Sequence, residues 1–169
     1  MKLDRHIFLI GFMGCGKSTN AACLSAMTGA AQLEMDQEIV KKQGMEIAKI
    51  FDLHGEQYFR DLETELLREL KDKKPMVVSC GGGAVLREEN VALMKQMGKI
   101  VLLTAEPETI YERVRHSTER PVLNGHMNLE YIENLMEKRR PHYERAADLT
   151  VSTDRRTAKE ICREILDRQ

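Results

Sequence analysis

The chain has 169 residues, enough for one domain with a sizeable core and too few for two. Its 26 Lys and Arg stand against 27 Asp and Glu, a balance that excludes a nucleic-acid partner held by bulk charge. Four cysteines without CxxC spacing and five scattered histidines give no zinc pattern and fit reduced thiols in the cytoplasm, and no apolar run nears the roughly 18 residues that span a bilayer.

The first predicted element is a strand over His6–Ile10. It runs into Gly11-Phe12-Met13-Gly14-Cys15-Gly16-Lys17-Ser18-Thr19, which fits GxxxxGK[ST] and leads into a helical pattern. There the backbone N–H groups from Gly14 through Thr19 can curl around phosphate oxygens at a helix N-terminus. Lys17 directs a cation at the β- and γ-phosphates, and the Ser18 hydroxyl can ligate Mg²⁺. Cys15 reads as a small spacer. Lys2 and Arg5 ahead of a short apolar run faintly resemble a lipoprotein signal, but Asp4 interrupts the basic region and Cys15 belongs to the phosphate motif.

The second predicted strand, residues 32–35, puts Glu34 and Asp36 on one face by alternation, although Asp36 also reads as a helix N-cap. Residues 56–70 carry Phe59, Leu62, Leu66 and Leu70 at helical spacing. Beside that stripe stands Arg60, with Glu56 and Glu63 placed to hold its guanidinium, or to form a solvated ion pair with it. A third strand over Met76–Ser79 leads through Cys80 to Gly81, Gly82 and Gly83. Three consecutive glycines exceed what a turn requires and predict a ligand brought against bare backbone.

A fourth strand is predicted at residues 100–104. The polar stretch 116–128, with Pro121 and Gly125, is the candidate mobile loop. In the next helix Arg139 falls on the apolar stripe of Ile132, Leu135 and Met136, and an inward arginine wants an anion; Arg140 lies about 100° further round. A fifth strand over Leu149–Ser152 precedes an amphipathic helix through Ile161, Cys162, Ile165 and Leu166. Thr157 and Glu160 supply its capping-box signature. Strands alternating with helices imply a parallel sheet wrapped by helices.

In order along almost the whole chain, "GFMGCGKST", "LEMDQEI", "IFDLHGEQYFRDLE", "SCGGGAV", "ERPVL", "KRRPHY" and "DRR" resemble the shikimate kinase family of small P-loop kinases. The resemblance implies an α/β P-loop kinase fold in one domain over 1–169: a central five-stranded parallel sheet flanked by helices, a mobile lid near 116–128, and a shikimate-binding segment near 36–63. It implies a cytoplasmic monomer that transfers the γ-phosphate of ATP to the 3-hydroxyl of shikimate with Mg²⁺, without a nucleic-acid or membrane partner.

By the same resemblance Asp36 orients or deprotonates the attacking hydroxyl, and Arg60, Arg139 and Gly81–Gly83 hold shikimate. Arg120 closes over the phosphates, while Arg113 and Arg156 flank the adenine. The family usually has Asp where this chain has Glu34. Being one methylene longer, Glu34 either ligates the metal differently or turns away. A gluconate kinase of this fold and a nucleotide-binding module without turnover are the rival readings; the triple glycine with Arg60 and Arg139 favours shikimate.

Overall fold

The computed structural model describes residues 1–115 and 128–169. The predicted lid and Arg120 therefore lie outside the described residues, apart from Asn128. Five parallel strands form one sheet in the order β2-β3-β1-β4-β5: β1 His6–Ile10, β2 Ala31–Glu34, β3 Met76–Ser79, β4 Gly98–Thr104 and β5 Leu149–Ser152. Every residue of β1 is buried, as a near-continuous apolar run at the centre of a parallel sheet should be. Its one polar member, His6, is satisfied by the Leu70 carbonyl and the Met76 amide, both at 3.1 Å.

The helices are α1 Lys17–Thr28, α2 Met35–Gln43, α3 Ile47–Glu69, α4 Glu88–Met97, α5 Pro107–Val114, α6 Leu129–Ala146 and α7 Ala158–Asp167. α1 packs against α7 and β3, while α4 and α6 lie against β4. The predicted helix at 56–70 is the second part of α3, which is interrupted at Gly55, where φ is 83°. Its Phe59 and Leu66 are buried and its Leu62 is half-buried, while Leu70, also buried, opens a 3-10 turn just after the helix. No described helix is long and apolar enough to cross a membrane.

Two strand boundaries differ from the prediction. β4 starts at Gly98, because Gly98 and Lys99 pair with His6 and Ile7 of β1; a glycine and a lysine carry little strand signal of their own. β2 stops at Glu34, and Met35 opens α2 with a fully buried side chain. Asp36 therefore does not share a strand face with Glu34. It sits in the first turn of α2, where the positive end of the helix dipole favours a carboxylate, and Glu34 occupies the cap position.

Candidate functional site

The loop from β1 to α1 closes at Gly16, which caps α1 with φ 99°, a backbone conformation that side chains disfavour. Lys17 folds back over this loop, and its ammonium donates to the carbonyls of Gly11 at 2.8 Å and Phe12 at 3.1 Å. The next residue, Ser18, donates to Glu34 Oε2 at 2.9 Å, and Gln32 Nε2 donates to Glu34 Oε1 at 2.7 Å. Gln32 and Glu34 are two apart on β2, so alternation gives them one face. The longer acid has turned toward the phosphate loop. Ser18 and Glu34 together present hard oxygen donors, the chemistry a magnesium ion prefers. Among the described residues no three His, Cys, Asp or Glu side chains cluster as a protein-only metal cage.

A cavity of about 340 Å³ lies above these residues. One wall is the phosphate loop with the start of α1: Gly14, Gly16, Lys17, Ser18 and Thr19. The other wall is Glu34, Asp36 and the turn after β3, from Ser79 through Gly82. Arg113 of α5 borders it and donates to the Gly14 carbonyl at 2.9 Å. Cys15 is buried beneath the loop as a small side chain. Arg156 does not line the cavity. It is held between the end of β5 and α7, by the Ser152 carbonyl at 3.2 Å and the Glu164 carboxylate at 2.7 Å.

The turn after β3 is fixed to the neighbouring loop, since the Cys80 amide donates to the Leu9 carbonyl at 3.0 Å and so extends the sheet ladder beyond Ser79. Two of its three glycines have a reason beyond the admission of a ligand. A Cβ on Gly83 would stand 2.3 Å from the Arg60 guanidinium, and one on Gly81 would stand 2.7 Å from Glu63 Oε2 and 2.9 Å from Asp36 Oδ1. The bare backbone admits the protein's own charged side chains. At Gly82 the nearest atom is Arg139 Nη1 at 3.4 Å, an ordinary contact.

Arg60 is buried and paired with Glu63 at 2.6 Å and Glu56 at 3.1 Å, as the i+3 and i−4 spacing anticipates; it is not a solvated surface pair. Glu63 is completely buried. Loss of solvent pushes its carboxyl up to about 7; the Arg60 charge opposes that rise and the Asp36 charge adds to it. Arg139 is buried over the Phe12 ring, 5.8 Å from its centroid, and its Nη1 has no hydrogen-bond partner among the described residues. Arg140 is exposed and pairs with Glu137. The choice of Arg139 over Arg140 from the helical stripe thus agrees with the burial of both.

Sequence reasoning missed Tyr143 and Gln32. The Tyr143 hydroxyl donates to the Gly82 carbonyl at 2.5 Å, and burial pushes its pKa up to about 12, with Arg139 pulling the other way. It therefore stays protonated and steadies the glycine turn. Its place four residues after Arg139 on the same stripe was the available signal. The structure thus brings Lys17, Ser18, Glu34, Asp36 and Gly81–Gly82 to one cavity, with Arg60, Gly83 and Arg139 behind the glycine turn.

The family model described as shikimate kinase matches residues 13–169. A shikimate kinase of Dehalococcoides mccartyi is 37% identical over 168 residues, which cover 99% of this chain and 95% of that protein. A structure described as shikimate kinase from Acinetobacter baumannii in complex with shikimate superposes with a TM-score of 0.92 at 34% identity, covering 96% of this chain and 91% of that one. A gluconokinase from Sinorhizobium meliloti reaches a TM-score of 0.60 at 17% identity, covering 99% of this chain and 92% of that one, a likeness of fold alone.

Proposed function

The chain belongs to the shikimate kinase family, and from that premise we propose which of its residues carry the reaction. The enzyme is an ATP-dependent kinase that phosphorylates the 3-hydroxyl of shikimate. The observation that carries the residue assignment is the pairing of two buried guanidinium groups with a glycine turn directly across the cavity from a phosphate loop.

The phosphate loop, from Gly14 to Thr19, binds the triphosphate through its amides, and Lys17 moves from its two carbonyls to the β- and γ-oxygens. Ser18 and Glu34 would hold Mg²⁺, which supplies neutralisation of charge on the phosphate oxygens. Arg139, with its buried unpartnered N–H, takes the shikimate carboxylate, and Arg60 stands beside it, held by Glu63 and Glu56. Gly82 lines the cavity, and its bare backbone is the part of the turn offered to the ring. Asp36 accepts a hydrogen bond from the attacking hydroxyl and orients it in line with the γ-phosphorus. In a loose transition state such positioning outweighs proton removal.

Arg113 flanks the nucleotide at Gly14, and Arg120 closes over the phosphates. Arg156 serves as an adenine neighbour only if it leaves its ion pair with Glu164. The chain works as one domain and as a monomer in the cytoplasm.

A coupled ADP-release assay with MgATP and shikimate, gluconate or no acceptor tests the assignment. Turnover in the shikimate tube alone is expected; equal release in all three would overturn it. Asp36→Asn should lower kcat by at least about a hundredfold, with ADP affinity by calorimetry kept within about twofold. A wild-type rate in that variant would dismiss the role of Asp36.

A further inference from the structure

The phosphate loop takes its shape from where its carbonyl groups are held. Those of Gly11 and Phe12 accept from Lys17, that of Gly14 accepts from Arg113, and that of Gly16 accepts from the Asn20 side-chain amide at 2.8 Å. The Cys15 carbonyl has a donor from much further along the chain, the hydroxyl of Thr153, 138 residues away and 3.0 Å distant. Thr153 directly follows β5, and both it and Cys15 are buried. The same hydroxyl lies 3.0 Å from the Thr104 carbonyl at the end of β4, so two acceptors face a single proton. The Thr104 carbonyl already accepts from the Thr153 amide at 2.8 Å, a bond that extends the β4–β5 ladder by one rung. The proton therefore goes to Cys15, whose buried carbonyl has the greater need of a donor.

The Cys15–Gly16 peptide is trans, and in a trans peptide the N–H points opposite to the C=O. Fixing the Cys15 oxygen on Thr153 thus turns the Gly16 N–H the other way. Gly16 lines the cavity and Thr153 does not. We propose that Thr153 is a positioning residue of the phosphate loop: its hydroxyl keeps the Cys15 oxygen out of the cavity and so presents the Gly16 N–H to a phosphate of the nucleotide. Rotation of that peptide would put a carbonyl oxygen where an amide is needed, and a phosphate is repelled by the first and held by the second. Thr153 acts through one peptide unit. The proposal rests on the reading of the loop as a phosphate site and is independent of the acceptor substrate.

Calorimetric titration with ADP is run on the parent and on Thr153→Val, Thr153→Ala and Thr153→Ser, with proton–nitrogen NMR spectra of the isotope-labelled proteins recorded alongside. Thr153→Val keeps the shape and removes the hydroxyl, and should raise the ADP dissociation constant about tenfold. Thr153→Ala, which cannot crowd the site, should do the same. Thr153→Ser keeps the hydroxyl and should stay within about threefold of the parent. Addition of ADP should move the Gly16 amide proton downfield in the parent and in Thr153→Ser, and markedly less in the other two variants. Thr157→Ala, which removes the cap of α7 nearby, should bind ADP like the parent and so separates loss of stability from loss of position. Parent-like affinity in either Thr153→Val or Thr153→Ala, no recovery in Thr153→Ser, or a Gly16 shift unaltered by loss of the hydroxyl would each overturn the proposal. A parent that binds no ADP would overturn the phosphate-loop reading as well, and the parent titration alone tells that failure apart.

Discussion

Arg139 is buried with no ion pair among the described residues, whereas its exposed neighbour Arg140 has Glu137. A buried guanidinium in that condition gains most from an incoming carboxylate. Arg139→Ala should raise the shikimate dissociation constant at least about tenfold, the weight of one charge-assisted hydrogen bond, and leave ADP binding unchanged in the same calorimeter. Arg139→Lys should restore little, because an ammonium cannot offer the planar fork. Glu63 carries a different test. Its carboxyl titrates near 7 in the folded protein against about 4.5 when unfolded, so folding favours its protonated form. The stability this contributes is complete below about 4.5 and is lost as pH rises through about 7. Thermal melts at pH 5 and pH 8 should differ less in Glu63→Gln than in the parent. Helical spacing alone made Arg139 legible, because burial follows the stripe. Tyr143 obeyed the same spacing, but its partner Gly82 is 61 residues away, and no local pattern reveals a contact across that separation.

Elements were read most surely where their end chemistry was written into adjacent residues. Thr157 and Glu160 do form a reciprocal cap on α7: the Thr157 amide donates to the Glu160 carboxylate at 2.8 Å, and the Glu160 amide donates to the Thr157 hydroxyl at 3.3 Å. Thr157→Ala should cost about 1 kcal/mol in chemical denaturation and lower the melting temperature by roughly 2–4 °C, with KM for ATP unaltered. At the join of β2 and α2 the pattern was ambiguous. Glu34-Met35-Asp36 satisfies a period of two as well as the first turn of a helix, and the burial of Met35 against the core settles it as helix. The glycine turn shows the same limit. Three bare residues advertised a close approach, yet the groups that approach, Arg60 and Glu63 of α3 and Asp36 of α2, become neighbours only in the folded chain.

The whole molecule was legible as a parallel sheet because five short apolar runs alternate with helices, and the observed order β2-β3-β1-β4-β5 keeps every pairing parallel. The order itself was not in the sequence pattern, since periodicity says which face is buried and is silent on which strand lies beside which. That order has a consequence for selectivity. The loop that would cradle the donor leaves β1, the turn that would cradle the acceptor leaves β3, and the two strands are hydrogen-bonded neighbours, joined last by Cys80 to Leu9. Their separation is one inter-strand step, about 4.8 Å, a length the backbone cannot stretch without breaking rungs. The sheet thus acts as a molecular gauge: an analogue whose carboxylate is displaced from the ring by one extra methylene should dock on Arg139 yet present its hydroxyl out of line. It should inhibit competitively and receive no phosphate, an outcome that phosphorus NMR of the reaction mixture would register.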